Sequence, residues 1–195
     1  MGSHYYDKVP ISRESRKEIS FRFLGVNYTF ISDSGVFSKD KLDTGTRILL
    51  ETISKLNVSG QVLDYGSGIG VIGILIKVMF PDSSVTGFDI NQRAVELSQL
   101  NAKRLNVEVN FYQGDHIETG EFDVILTNPP IRAGKQVIYS MFKESYNHLR
   151  ESGRLFIVIR KSHGALSAIK ELQQYFSEVV TLHKDKGFFI IQCTK

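Results

Sequence analysis

Four short stretches of this 195-residue chain carry residue types that could do chemistry, in the order VLDYGSGIG, VTGFDIN, YQGDHI and TNPPI. In the first, Gly66, Gly68 and Gly70 lie between an apolar, strand-like run and a helix-like one. Glycines there allow a sharp turn and bring the backbone close to a ligand. Asp89 ends the next apolar run, nineteen residues after Gly70, where a carboxylate can accept from both hydroxyls of a ribose. A third run ends in Gly114-Asp115-His116, placed to meet an adenine edge. A glycine pattern alone also fits NAD binding or a plain tight turn. Asp64 moves the choice, because a carboxylate at that strand end would repel a pyrophosphate. It suits a ligand carrying an ammonium and a sulfonium, which points to S-adenosylmethionine. The last stretch is unusual in a different way. Neither Pro129 nor Pro130 can donate an N–H, so a central strand cannot continue through them. A strand that reads as buried therefore ends in a side-chain amide, Asn128, and two rigid acceptor-only residues.

The elements that must position these residues follow from periodicity. Residues 20–31 alternate around 25–27 and predict a β-hairpin. Residues 46–56 have helical spacing. From residue 61 the chain alternates short apolar runs (QVLDYG, SVTGFDI, VNFYQGD, FDVILTN, GRLFIVIR) with helical segments at 71–79, 93–105, 137–149 and 164–175. Such alternation predicts a parallel sheet covered on both faces. Two closing strands around Lys186-Gly187 are too close in sequence for a crossover, so they must pair antiparallel. The expectation is one α/β domain over 1–195: a doubly wound, Rossmann-like, mostly parallel seven-stranded sheet with an antiparallel C-terminal hairpin. The hairpin and loop within residues 1–40 form an extension expected to help bind substrate.

Composition agrees with a soluble globular protein, at 42% apolar and 23% charged residues. No apolar run is long enough for a transmembrane helix, and the N-terminus lacks the apolar core of a signal peptide. The single cysteine, Cys193, cannot make an internal disulfide. Together these predict a cytoplasmic location and no membrane partner. The five histidines and the cysteine form no recognisable metal-ligand pattern. The net charge of +3 divides into +2 for residues 1–60, −5 for 61–128 and +6 for 129–195. Basic flanks around an acidic middle would suit a polyanionic partner, although an ordinary solvated surface reads the same way.

With those four stretches in that order, the chain resembles the class I S-adenosylmethionine-dependent methyltransferases from residue 62 to 131, and the strand pattern extends the likeness to the C-terminus. The resemblance implies that Asp64, Gly66 and Gly68 shape the methionine pocket, while Gly70 lets the following helix pack close. It implies that Asp89 holds the ribose, Ile90 packs on the adenine and Asp115 bonds the adenine amine. Ile90 would equally serve as core packing. His116 would neighbour the pocket, and Asn128 would border both cofactor and acceptor.

A methyl acceptor then gives the Asn-Pro-Pro turn a purpose. An exocyclic amine on a nucleobase is a poor nucleophile, since its lone pair is delocalised into the ring. Two acceptors aimed at its N–H groups favour a tetrahedral nitrogen and free the lone pair. The Asn128 side-chain oxygen and the Pro129 carbonyl could be those acceptors. The residue before a proline is held extended, so the pair is restricted together. That is preorganisation, reached once the base has left its stack.

Asn-Pro-Pro methyltransferases modify adenine N6, guanine N2 or a protein glutamine amide. SDSGVFSKDKLDTGTRILLE, NPPIRAGK and GRLFIVIRKSHGA narrow the resemblance to the ribosomal RNA small-subunit methyltransferase C family, guanine-N2 enzymes, and to its short single-domain members. This implies guanine N2 in small-subunit ribosomal RNA as acceptor. The long members carry an additional N-terminal domain, which is not expected in this chain. Ile131 stands where many relatives have an aromatic to stack on the base, and Phe37 could supply the ring if its loop folds over the site; otherwise it plugs the hairpin. Pro130, Arg132 and Lys135 flank the clamp, and the two cations could contact phosphates or simply serve solubility. Arg160, Lys161 and His163 have weaker claims. From other classes, a noncatalytic RNA-binding or ribosome-assembly factor and an NAD oxidoreductase remain as alternatives, the second disfavoured by Asp64 and the antiparallel tail.

Overall fold

The computed structural model describes residues 16–33 and 42–195. Phe37, which could stack on the base or plug the hairpin, lies outside the described residues. The chain opens with a hairpin of β1 (Lys17–Phe23) and β2 (Val26–Ser32), in which Phe23 pairs with Val26. The turn is therefore Leu24-Gly25, earlier than the 25–27 expected from alternation. Both residues have positive φ, 45° and 85°, as a two-residue hairpin turn of the type I′ kind requires. Ile19, Phe23 and Phe30 point inward and are buried.

Helix α1 (Thr44–Ile53) starts two residues before the expected 46. The cause is Asp43, whose Oδ2 accepts from the Thr46 N–H at 2.8 Å. Such a cap contributes about 1 kcal/mol. Then follow β3 (Gln61–Tyr65), α2 (Val71–Met79), β4 (Ser84–Asp89), α3 (Gln92–Arg104), β5 (Asn110–Gln113) and β6 (Phe122–Thr127). A 3₁₀ turn, Ile131–Ala133, leads into α4 (Lys135–His148), β7 (Leu149–Arg160), α5 (Ala165–Leu172), β8 (Glu178–Asp185) and β9 (Phe188–Thr194). Strand β6 ends at Thr127, immediately before the Asn-Pro-Pro segment, as the missing proline donors demand.

The seven strands of the main sheet run in the order β5-β4-β3-β6-β7-β9-β8. Strands β3 to β7 pair parallel, and β9 pairs antiparallel with both β7 and β8. This is the expected doubly wound fold with an antiparallel tail. One face buries α1, α2, α3 and the hairpin around Phe30, Leu49, Ile74 and Phe156. The other buries α4 and α5 around Phe142, Ile125 and Leu155. After β3 the chain winds outward through β4 and β5, then returns to add β6 on the opposite side. The switch point thus lies between β3 and β6, and open α/β sheets bind ligands just beyond the carboxyl ends of the strands at that point.

Candidate active site

Two segments meet at the switch point: the glycine loop after β3 and the Asn128 turn after β6. Thr127 joins them, since its buried Oγ1 donates to the Tyr65 carbonyl at 2.9 Å. The glycine loop is also tied to β4. Gly66 and Ser67 N–H groups donate to the Phe88 carbonyl at 3.0 and 2.9 Å. Gly66, Gly68 and Gly70 all have positive φ, 76°, 54° and 86°. A Cβ at Gly66 or Gly68 would meet nothing, so those two face open space. A Cβ at Gly70 would lie 2.9 Å from the Ser98 Cβ and 3.0 Å from the Phe111 ring, so this glycine sets how closely α2 approaches α3 and β5.

The acidic residues occupy two depths. Asp64 is fully buried and does not line the cleft; its Oδ2 accepts from the Gly73 N–H at 2.8 Å. It shapes the pocket from beneath, by holding α2 under the loop, and its Oδ1 has no partner. Burial pushes its carboxyl up to about 7, against the pull of the Gly73 N–H, and the charge of Asp89 adds to the rise. Asp89 sits higher, at the end of β4. Its Oδ2 accepts from the Gly68 N–H and its Oδ1 from the Asn91 N–H, both at 2.9 Å. Burial raises its carboxyl as well, opposed by N–H groups of Asn91, Gly68 and Ile90. A carboxylate has about four acceptor positions, so with three N–H groups set against it a ribose hydroxyl can still be received.

On the expected adenine side, Ile90 is half-buried and joins neither apolar cluster. Asp115 and His116 are exposed and lie 2.7 Å apart, Oδ1 to Nδ1, and that bond raises the imidazole's pKa. Their loop is anchored by a residue that sequence reasoning did not single out. Glu144 on α4 accepts from the Ile117 N–H at 2.6 Å with one oxygen and from the Tyr65 hydroxyl with the other. One side chain thus links the base of the glycine loop to the Asp115 loop.

The Asn128 turn yields a second finding of this kind. The Asn128 amide nitrogen donates to Asp43 Oδ2 at 2.9 Å and to Thr46 Oγ1 at 3.0 Å. A carboxylate can only accept, so nitrogen and not oxygen must face Asp43. The amide's orientation is thereby fixed, with Oδ1 on the opposite side. Among the described residues no donor reaches Oδ1 or the Pro129 carbonyl, whereas the Pro130 carbonyl is taken by the Ala133 N–H at 2.9 Å. The DTGT run that supplies Asp43 and Thr46 was legible only as part of a longer resemblance.

Asn128, Asp43, Thr46 and residues 66–69 line one cleft, with Ile19 of the hairpin closing it. A second cleft, about 150 Å³, lies past Ile131 and Lys135 and is bounded by His163, Gly164 and Ser167 at the start of α5. Ile131 packs on the α4–α5 side of the sheet, and Arg132 is exposed beside it. Among the described residues, no helix is long and apolar enough to cross a membrane, and no three His, Cys, Asp or Glu side chains group as metal ligands.

A glycine loop facing open space, a carboxylate ending β4 and two acceptors after β6 that no donor reaches among the described residues fit S-adenosylmethionine and the class I methyltransferases that use it. Residues 27–192 match the methyltransferase small domain, and the chain belongs to that family. It is 43% identical to the uncharacterized protein YbxB of Bacillus subtilis (strain 168), with both chains covered in full. It is 36% identical to ribosomal RNA small subunit methyltransferase C of Haemophilus influenzae (strain PittGG), over 83% of this chain and 50% of that protein. Among solved structures it matches a Thermus thermophilus 16S rRNA N2 G1207 methyltransferase in complex with AdoMet and guanosine. The TM-score is 0.82 at 27% identity, over 92% of this chain and 50% of that one. The chain thus spans about half the length of these methyltransferases.

Proposed function

We propose that this protein transfers a methyl group to the exocyclic N2 of guanine in RNA, with small-subunit ribosomal RNA as its substrate. The observation that carries the reading is the fixed Asn128 amide. Because Asp43 and Thr46 take the nitrogen side, Oδ1 and the Pro129 carbonyl remain to receive the two hydrogens of one amine. S-Adenosylmethionine, when bound, supplies an electrophilic methyl group. The residues of this chain do the rest. The glycine loop and Asp89 hold the cofactor's methionine and ribose ends, and Asp115 and Ile90 receive its adenine. Asn128 and Pro129 orient the amine and draw out its lone pair. No strong base is needed, since an amine becomes acidic as it gains a bond to carbon. Pro130 and Ile131 border the base, and Arg132 and Lys135 contact phosphates on either side. The identity to small-subunit methyltransferase C proteins and the guanosine in the Thermus complex support guanine over adenine.

The test is incubation with labelled S-adenosylmethionine and, separately, undermethylated small subunits, large subunits, free RNA, DNA and release factors. Label in N2-methylguanosine from small subunits is expected. Label on adenine or in protein glutamine would reject guanine, and no turnover despite cofactor binding would favour an assembly factor. Replacing Arg132 and Lys135 together by alanine should lower RNA affinity and reduce its salt dependence by about two counterions' worth of slope; an unchanged slope returns both cations to the ordinary surface.

A further inference from the structure

Residues 114–121 run from β5 to β6 as an irregular loop. Such a stretch keeps its shape only through contacts with its neighbours. Its entry is fixed by the Gly114 N–H, which donates to the Asp89 carbonyl at 3.1 Å. Its next fixed point is the Ile117 N–H, which donates to Glu144 Oε1 at 2.6 Å. Asp115 and His116 lie between those two points, exposed and bonded to each other. Glu144 is half-buried on α4, and its other oxygen receives the Tyr65 hydroxyl. Burial of Tyr65, together with the bond to Glu144 and the charge of that carboxylate, keeps the hydroxyl protonated and donating. Tyr65 in turn lies against Phe88, and Phe88 against Tyr112, with ring centroids 4.7 and 5.4 Å apart. The Glu144 carboxylate is thus braced on an aromatic row that spans β3, β4 and β5. One turn further along α4, His148 Nδ1 donates to the Gly120 carbonyl at 3.0 Å. Residues four apart share a helix face, so one face of α4 holds the loop at two places.

We infer that Glu144 is a positioning residue for cofactor recognition: it fixes the loop at Ile117 so that Asp115 presents its carboxylate to the amine of adenine. The inference rests on the reading above that Asp115 receives the adenine. A carboxylate can only accept, so it attracts the N6 amine of adenine and repels the O6 of hypoxanthine. That discrimination depends on where the carboxylate stands. A contacting group keeps a selective geometry only when a surrounding shell of hydrogen bonds holds it there, and Glu144 supplies that shell from outside the loop. The methionine and ribose ends are held elsewhere, by the glycine loop and Asp89. Loss of Glu144 should therefore remove selectivity for the base and little else.

The probes are S-adenosylhomocysteine and S-inosylhomocysteine, which differ only along the N1–C6 edge of the base, with affinities read by calorimetry on the whole chain. Wild type is expected to prefer the adenine compound. Glu144→Ala should cut that preference roughly tenfold, as for one hydrogen bond to a charged group, by weakening the adenine compound and not the inosine compound. Glu144→Leu, which fills the space without an acceptor, should lose as much, and it carries the test if alanine lowers the melting temperature. Glu144→Gln should recover most of the preference, because its oxygen can receive the Ile117 N–H while its amide nitrogen donates to the Tyr65 oxygen. A preference unchanged in the alanine and leucine variants, or both compounds weakened alike, overturns the positioning role. Asp115→Asn separates that role from the reading beneath it. An amide can also donate, so the preference should shrink. If it shrinks there while the Glu144 variants keep it, the Glu144 inference alone fails. If it is unchanged at Asp115, the adenine role of Asp115 fails and the inference with it.

Discussion

The carboxyl edge of the sheet has two halves, and they are built in opposite ways. Around β3, β4 and β5 the chemistry is carried by carboxylates and backbone. Asp64 and Asp89 are buried and each accepts from main-chain N–H groups. Around β6 and β7 it is carried by exposed cations and by two acceptors that no donor reaches among the described residues. Along the chain, residues 61–128 balance at −5 and residues 129–195 at +6. The first half is suited to a small ligand with positive groups, held tightly and always the same. The second is suited to a large anion approached from solvent. Neither half could serve for the other, and a group passed from one ligand to the other must cross the line where β3 and β6 adjoin.

Substitutions can separate the halves. The largest effect is expected at Asn128. Asn128→Ala should lower turnover by about 10²–10³, the scale for losing one preorganised polar group at a reacting centre, with cofactor affinity in calorimetry changed by no more than a few-fold. An equal collapse of cofactor binding would place Asn128 in the first half. Next, Asp89→Ala should weaken cofactor binding roughly 10- to 100-fold, the loss of charged hydrogen bonds, and leave turnover at saturating cofactor much less affected. Unchanged affinity would remove the ribose role.

A smaller effect is expected at Asp43. Asp43→Ser keeps a helix cap but is too short to hold the Asn128 nitrogen. Turnover should fall roughly tenfold, as for one hydrogen bond to a charged group, at constant melting temperature. Asp43→Asn, which retains an acceptor, should recover most of it. A Ser variant as active as wild type would show that the amide needs no latch.

The smallest effect concerns pH. Because the Asp64 carboxyl is raised to about 7 in the folded protein, above its unfolded value of about 3.9, the folded state binds the proton more tightly. Stability therefore falls as pH rises from about 4 to about 7 and levels off above it. Asp64→Asn should flatten that segment of the denaturation profile. A profile identical to wild type would mean that the carboxylate is ionised throughout.

The first half was the more legible in sequence, for a physical reason. Glycines with positive φ and strand-end acids are constrained by backbone geometry, which local sequence displays. Gly66, Gly68, Gly70 and Asp89 could be placed by spacing alone, and so could the parallel pairing of the strands. The second half depends on contacts between residues far apart in the chain. Asp43 and Asn128 are 85 positions apart, and Glu144 reaches Tyr65 across 79. Nothing local marks Glu144, an ordinary acid on an amphipathic helix. Asp64 was legible as an important carboxylate, but its depth below the loop was not. The misplaced hairpin turn has the same origin as the successes: Leu24 adopts a positive φ that its side chain does not advertise.

Asn101 on α3 carries one last consequence. Fully buried, it receives the Ile31 N–H at 2.7 Å and donates to the carbonyls of Ile31 and Ile69, both at 3.0 Å. Strand β2 and the glycine turn are thus fastened to a single amide. If an occupant that stiffens the turn also quiets the hairpin, thermodynamic reciprocity requires that whatever grips the hairpin tighten the hold on that occupant. Slower amide exchange along β2 when cofactor is added would be the audible end of that connection.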